Sequence, residues 1–177
     1  YYYINWKVSN HMSTLSVDTI QGQTTAANVK MPAGHVIQVQ SAAIGANAQY
    51  SNSTTSFTDI VSVTITPKYA SSKILFQMAG DAGQSGDNTA LRIRLVRSIG
   101  GGSFSEIGGI GVCYEENQYE SCAMSVMDSP NTTSACIYKL QGSLQGSNGT
   151  GYFPTNWGGF TSDANEKNTL TVMEISQ

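Results

Sequence analysis

From His35 onward, apolar residues recur at alternate positions in short runs, with turn-forming residues between the runs. Val36, Ile37 and Val39 open the series. Ile60, Val61, Val63 and Ile65 come next and are closed by Pro67. Ile74, Leu75, Phe76 and Met78 make a third run, and Leu91, Ile93, Leu95 and Val96 a fourth. Ala123–Met127 reads as another strand. Ser134–Leu144 reads as the longest, with Cys136, Tyr138 and Leu140 on one face and Ala135, Ile137 and Lys139 on the other. Leu170, Val172, Met173 and Ile175 form a terminal strand. The intervening stretches carry turn chemistry: a Ser/Thr/Asn loop over Ala46–Thr58, a turn-rich connection over Gly80–Asn88, and a flexible tip at Gly100–Gly102. A further turn lies at Asp128–Asn131, and a long Gly/Asn/aromatic loop at Gln145–Asp163. Ile107–Cys113 is interrupted by glycines and fits no single template. No window of a dozen residues has helical periodicity, and no longer repeat is visible. This pattern predicts an all-β fold, an antiparallel sandwich or barrel of short strands.

The segment before His35 differs. Ser13–Gly34 is polar, with only Leu15, Val17, Ile20, Val29 and Met31 scattered through it, too few for a core of its own. It reads as an extended N-terminal arm, ended by Pro32-Ala33-Gly34. Residues 1–11 differ in composition from the rest of the chain. His11-Met12 has the look of a junction with Met12 as a natural start, which makes 1–11 a non-native leader. The alternative is a natural β-prone arm whose Tyr1, Tyr2, Tyr3, Ile4 and Trp6 add to a neighbouring sheet. The expected organisation is therefore 1–11, an attachment arm at 12–34, and a sandwich domain at 35–177.

Composition narrows the function. Of the 177 residues only 12% are charged, about half the usual share, and Ser, Thr, Asn, Gln and Gly replace them. The net charge is -3 and no basic run occurs, which argues against nucleic acid as a partner. Arg92, Arg94 and Arg97 make the densest basic stretch and read as one solvated or interface face. No stretch approaches a membrane span and no secretory signal opens the chain. An outward-facing composition without an export signal fits a virion part, made in the host cytoplasm and released by lysis. Three cysteines, Cys113, Cys122 and Cys136, are an odd number without a CxxC pair. They read as buried thiols, with a Cys113–Cys122 hairpin disulfide left open.

Several ordered blocks resemble short structural proteins of marine and cyanobacterial phages. These are Ser13–Gln21, Met31–Gln38, Thr55–Asp59, Ser62–Pro67 and Ser71–Leu75, then Asp128–Ala135, Tyr138-Lys139-Leu140 and Leu170–Ile175. The resemblance spans most of Ser13–Ile175. It implies a tail-fibre-like virion protein with a jelly-roll-like sandwich, assembled as a homotrimer, with no catalytic residues and no named receptor. The leader before Met12 and the three cysteines depart from the family pattern. Trimerisation also has a physical rationale, because three copies about an axis cover exposed strand edges and multiply weak contacts.

Candidate chemistry sits in loops. Ser147–Ser162 holds Tyr152, Phe153, Asn156, Trp157 and Phe160 among glycines and amides. Aromatic faces stack on sugars while amides bond hydroxyls, so Tyr152, Phe153, Asn156, Trp157 and also Tyr119 are candidate receptor or glycan contacts. The competing reading folds these aromatics back to cap the sandwich or to pack between subunits. The acidic run Tyr114–Glu120 reads as a solvated loop. Asp81, Asp87 and Asn88 are weak calcium candidates without the spacing of a calcium loop; no metal and no cofactor is expected. With only His11 and His35 as imidazoles, an enzyme is not expected. The leading expectation is an adsorption module that binds a host-surface glycan or protein and joins other virion proteins through its arm. The alternatives are a purely structural capsid-decoration or fibre-building protein, and a lectin-like or cytokine-like sandwich of non-viral origin.

Overall fold

In the computed structural model the described residues are 32–44, 50–86, 89–112, 119–153 and 168–177, all within the unit Pro32–Gln177. The expectations for the leader 1–11, for most of the arm 12–34, and for Asp87, Asn88, Cys113, Asn156, Trp157 and Phe160 lie outside them. The described residues form ten strands. In chain order these are β1 (Val36–Ile44), β2 (Tyr50–Asn52), β3 (Thr58–Ile65), β4 (Lys73–Gln84) and β5 (Leu91–Ile99). They continue with β6 (Ser105–Val112), β7 (Tyr119–Asp128), β8 (Cys136–Leu144), β9 (Gly151–Phe153) and β10 (Asn168–Ile175).

The strands make two antiparallel sheets. The first, sheet A, runs β1-β10-β4-β7, with β9 and β2 attached at the far end of β4. The second, sheet B, runs β3-β8-β5-β6. If the two three-residue strands are set aside, the remaining eight cross between the sheets at every step except the β5–β6 hairpin, in the order of a double Greek key. The fold is therefore an all-β sandwich of jelly-roll type. Period-two alternation puts Ile74, Phe76 and Met78 of β4, Met124 of β7, and Leu170 and Val172 of β10 on the inner face of sheet A. They meet Val63 and Ile65 of β3, Leu91, Ile93 and Leu95 of β5, and Cys136, Tyr138 and Leu140 of β8. Each large apolar side chain so enclosed contributes about 2 kcal/mol.

Several elements differ from the sequence pattern. Gly80–Gln84, expected as part of a turn, continues β4, which at 12 residues is the longest strand. β7 pairs with β4 without a break from Ile74–Asp128 to Gly83–Tyr119. β10 and β9 occupy consecutive lengths of the opposite edge. Pairing with β7 at Gly80, and with both β7 and β9 at Gly83, overrides the weak strand preference of these glycines. The glycine-interrupted stretch is β6. A Cβ on Gly108 would lie 2.9 Å from Val126 Cγ2, so glycine permits the edges of the two sheets to approach there. β8 starts at Cys136 and has 9 residues, and its two faces are those the alternation assigns. Short strands β2 and β9 arise inside segments expected as loops.

The arginines do not share one face. Arg97 lies opposite Tyr138 in the register, on the inner side of sheet B. Its Nη1 donates to both carboxylate oxygens of Asp128 in sheet A, at 2.6 Å each. The Tyr138 hydroxyl donates to the same carboxylate at 2.7 Å. This inter-sheet triad closes one end of the sandwich. Burial, and then the Asp128 bond, push the Tyr138 hydroxyl far above its ordinary pKa. In the same row of sheet A, two strands from Asp128, lies the fully buried Glu174. Its oxygens accept from Gln38 Nε2 (2.6 Å), Lys68 N (2.8 Å) and Tyr69 N (3.2 Å), which pins the β3–β4 turn to β1 and β10. The start and end of the unit meet at this same end, where Gly34 N donates to Ser176 O and Ser176 N to His35 O.

The triad makes two outcomes measurable. Arg97→Met strands a mostly buried carboxylate and is expected to lower stability by about 3 kcal/mol in chemical denaturation. An unfolded tyrosine ionises near 10.0 while the folded one keeps its proton. The Tyr138 contribution is thus complete below that pH and is lost as the pH rises above it. Tyr138→Phe should cost about 1–2 kcal/mol at neutral pH and make the alkaline fall in stability shallower.

Candidate functional site

The aromatic segment singled out in the sequence includes β9, at the end of the sandwich away from the Gly34–Ser176 bonds. Three features hold its base rigid. First, β9 pairs with β2 on one side and with the end of β4 on the other, where Tyr152 lies opposite both Ser51 and Gly83. Second, the β4–β5 and β8–β9 connections are tied together. Ser85 N donates to Thr150 O (3.0 Å), Thr150 N to Ser85 Oγ (3.1 Å), Gly146 N to Thr89 Oγ1 (2.9 Å) and Gln145 N to Ala90 O (2.8 Å). Third, Gly86 and Gly149 press against each other. A Cβ on Gly86 would lie 2.1 Å from the Asn148 carbonyl oxygen, and Gly149 has a φ of +87°. Only glycine fits either place.

The structure separates the candidate contacts. Phe153 is fully buried in the core, so its ring is an anchor and is not displayed to a ligand. Tyr152 is half-buried beside it. Tyr119 opens β7, opposite Gly83, next to the same corner. Thus β7 and β9 converge on one glycine of β4 from opposite edges. Asn156, Trp157 and Phe160 lie outside the described residues. Asp81 is an exposed strand residue whose carboxylate accepts from Ser121 Oγ at 2.8 Å. Among the described residues no three His, Cys, Asp or Glu side chains converge as a metal site. His35 Nδ1 lies 3.1 Å from the Pro32 carbonyl, in the turn that opens β1. Cys122 and Cys136 are both buried, and burial raises the Cys136 thiol above its ordinary pKa.

A second surface was not legible as a unit in the sequence, namely the outer face of sheet B. Residues 53–57 fold across this face, where Leu144 N donates to Thr54 O at 2.9 Å. The Phe57 ring then lies 3.9 Å from the Arg94 guanidinium and 5.3 Å from that of Arg92. Arg94 pairs with Glu106 (3.2 Å) and Gln141 (3.0 Å). Lys139 pairs with Asp59 and lies 4.6 Å from the exposed ring of Phe104. Burial raises the Asp59 carboxyl, but bonds from Gln141 and Lys139 outweigh it and hold the group below its ordinary value. Arg94 and Lys139 are thus each paired with a carboxylate within the face, while Arg92 donates to the Thr55 and Leu144 carbonyls. The one signal in the sequence was the Arg92/Arg94 parity; Phe57, Asp59, Phe104 and Gln141 come from three other segments.

No protein-family model and no curated protein matches the chain. Solved structures similar to it include the infectious bursal disease virus Gt strain, at 12% identity and a TM-score of 0.48, covering 80% of this chain and 39% of that one. The VP2 subviral particle of the same virus gives 13%, 0.44, 79% and 38%. The Yersinia pseudotuberculosis-derived mitogen gives 10%, 0.33, 79% and 86%. The chain spans under two-fifths of the length of the two viral chains.

Gly86→Ala tests the clamp at this end. The added methyl meets backbone, which cannot swing aside, and should cost about 2 kcal/mol in thermal denaturation. Gly149→Ala adds to the same clash the strain of a φ of +87°, and Ala at Gly101, where φ is +80° and a Cβ would meet nothing within 4 Å, measures that backbone strain alone.

Proposed function

We propose that the chain is a virion structural protein, a repeated exterior building block of a phage particle, which displays the segment after β9 for attachment to a host surface. The observation that carries this reading is the double Greek-key order of the strands in a chain whose surface is neutral, polar and poor in charge. Jelly rolls of this order recur in viral shells and in sugar-binding domains, and the likeness is an analogy at the level of fold. Such a sandwich has blunt, weakly charged faces suited to packing against copies of itself, with loops at its ends left for recognition. The clamp of Gly86 against Gly149, with Phe153 as anchor, gives the display segment a fixed base. Homotrimeric assembly, with the N-terminal arm joining other virion proteins, belongs to this reading.

A purely structural role is the second reading, and the burial of Phe153 favours it. An aromatic that faces the core serves the scaffold and touches no receptor.

Labelled antibody against the chain should decorate intact particles, and the purified assembly should bind host cells or a glycan array. Trp157→Ala and Tyr152→Ala are each expected to reduce that binding at least tenfold with folding unchanged. If the chain decorates particles while neither it nor its variants bind cells or glycans, the structural reading stands. Absence of the chain from particles would defeat both.

A further inference from the structure

The pairing register lays out the outward positions of sheet A in rows. Val39 stands opposite Met173, Met173 opposite Leu75, and Leu75 opposite Met127. The next row is Ser41, Thr171, Gln77 and Ser125. In the third, Ala79 stands opposite Ala123, and on the β1 side Ala43 stands opposite Thr169. One row is thus bulky and apolar, one is uncharged and polar, and one is small. Val39 and Met127, at the two margins of the bulky row, are 52% and 51% exposed. The small row floors a shallow hollow of about 290 Å³ lined by Ala79, Gly80, Asp81, Ser121, Cys122 and Ala123.

Charge adds direction. The outward positions along β4 read Lys73, Leu75, Gln77, Ala79 and Asp81. Among the described outward positions of β1, β10, β4 and β7, only Lys73 and Asp81 carry formal charge, one at each end of the field. Consider a half-turn about an axis that lies in the plane of the face and crosses β4 at Gln77. It places Lys73 on Asp81 of the second copy and Asp81 on its Lys73. It lays Leu75 on Ala79, and Gln77 on Gln77. Val39 then falls on Ala43, Leu75 on Ala79 and Met127 on Ala123, with Met173 on Thr169, and Leu75 and Met127 are directed at the hollow. Stacked sheets lie about 10 Å apart, a gap that Leu or Met against Ala fills and that a lysine spans to reach a carboxylate. The Asp81 carboxylate is already oriented by Ser121 Oγ at 2.8 Å.

A face that matches itself in both size and charge under one two-fold operation is the requirement for an isologous contact. We propose that the outward face of sheet A is a homotypic interface whose occupant is a second copy of this chain, packed antiparallel on β4 about Gln77. This goes beyond the virion reading and does not depend on it, because it concerns association of the chain in solution.

The test uses the full chain, with native mass spectrometry and sedimentation. Even-numbered assemblies are expected, either a dimer or a dimer of trimers. Lys73→Asp and Asp81→Lys should each weaken the two-fold association by about tenfold or more, because like charges then meet twice per contact. The double variant K73D/D81K should restore it. Ala79→Arg, which fills the hollow from an exposed position, should abolish it while the circular-dichroism spectrum stays unchanged. Occupation of the face by residues 1–31 or by a different protein would leave a monomer or odd-numbered assemblies only, and would overturn the proposal. So would single reversals that leave association unchanged, or a double variant that fails to recover it.

Discussion

The fold depends on the continuity of β4. It is 12 residues long and pairs with β7 from Ile74 to Gly83 on one side, and with β10 from Lys73 to Met78 and then β9 at Gly83 and Gln84 on the other. Nearly every buried group of sheet A is positioned through that strand. Ile74, Phe76 and Met78 supply the inner face, and Ala82 continues it. Among the described residues β2 joins the sheet through β9, and β9 joins β4 at Gly83 and Gln84. The corner that carries the candidate site is thus an extension of the core strand. This gives a loop base the rigidity of a sheet, which ligand-bearing loops ordinarily borrow from elements some distance away.

Polar groups close the sandwich where its apolar rows end. At one end the Arg97–Asp128–Tyr138 triad joins the sheets, and Glu174 gathers backbone amides of the β3–β4 turn. At the other end the closure is made mostly by backbone, through the Gly86–Gly149 contact and the bonds of Ser85 and Thr89. The two outer faces also differ. Sheet B pairs Arg94 with Glu106 and Lys139 with Asp59, whereas sheet A keeps Lys73 and Asp81 apart at opposite ends of a neutral field.

Strands with unbroken alternation were legible from the sequence, and so was the class of fold. Cys136, Tyr138 and Leu140 turn inward together because period two admits one assignment once one face is apolar. What the sequence concealed was set by neighbours distant along the chain. Gly80–Gln84 resembles a turn until β7 and β9 are placed beside it, and β6 resembles a loop until Val126 comes against Gly108. Arg97 counted with Arg92 and Arg94 because charge suggests solvent, yet its position opposite Tyr138 directs it toward Asp128. In the candidate site, the burial of Phe153 was not legible. An alternating Gly-Tyr-Phe triplet fits a strand or a loop equally well.

The bonds of Gly34 and His35 with Ser176 bring the entry and the exit of the sandwich to one corner, where the outermost strand β1 lies antiparallel to β10. A pull applied between those two points would load the ladder from one end and peel it open rung by rung, as a zipper parts. It would not meet all the rungs at once, as it would if the two points lay at opposite ends. A body tethered in this way yields mechanically at its tether first, while the far corner, built on β4 and β9, carries none of the tension.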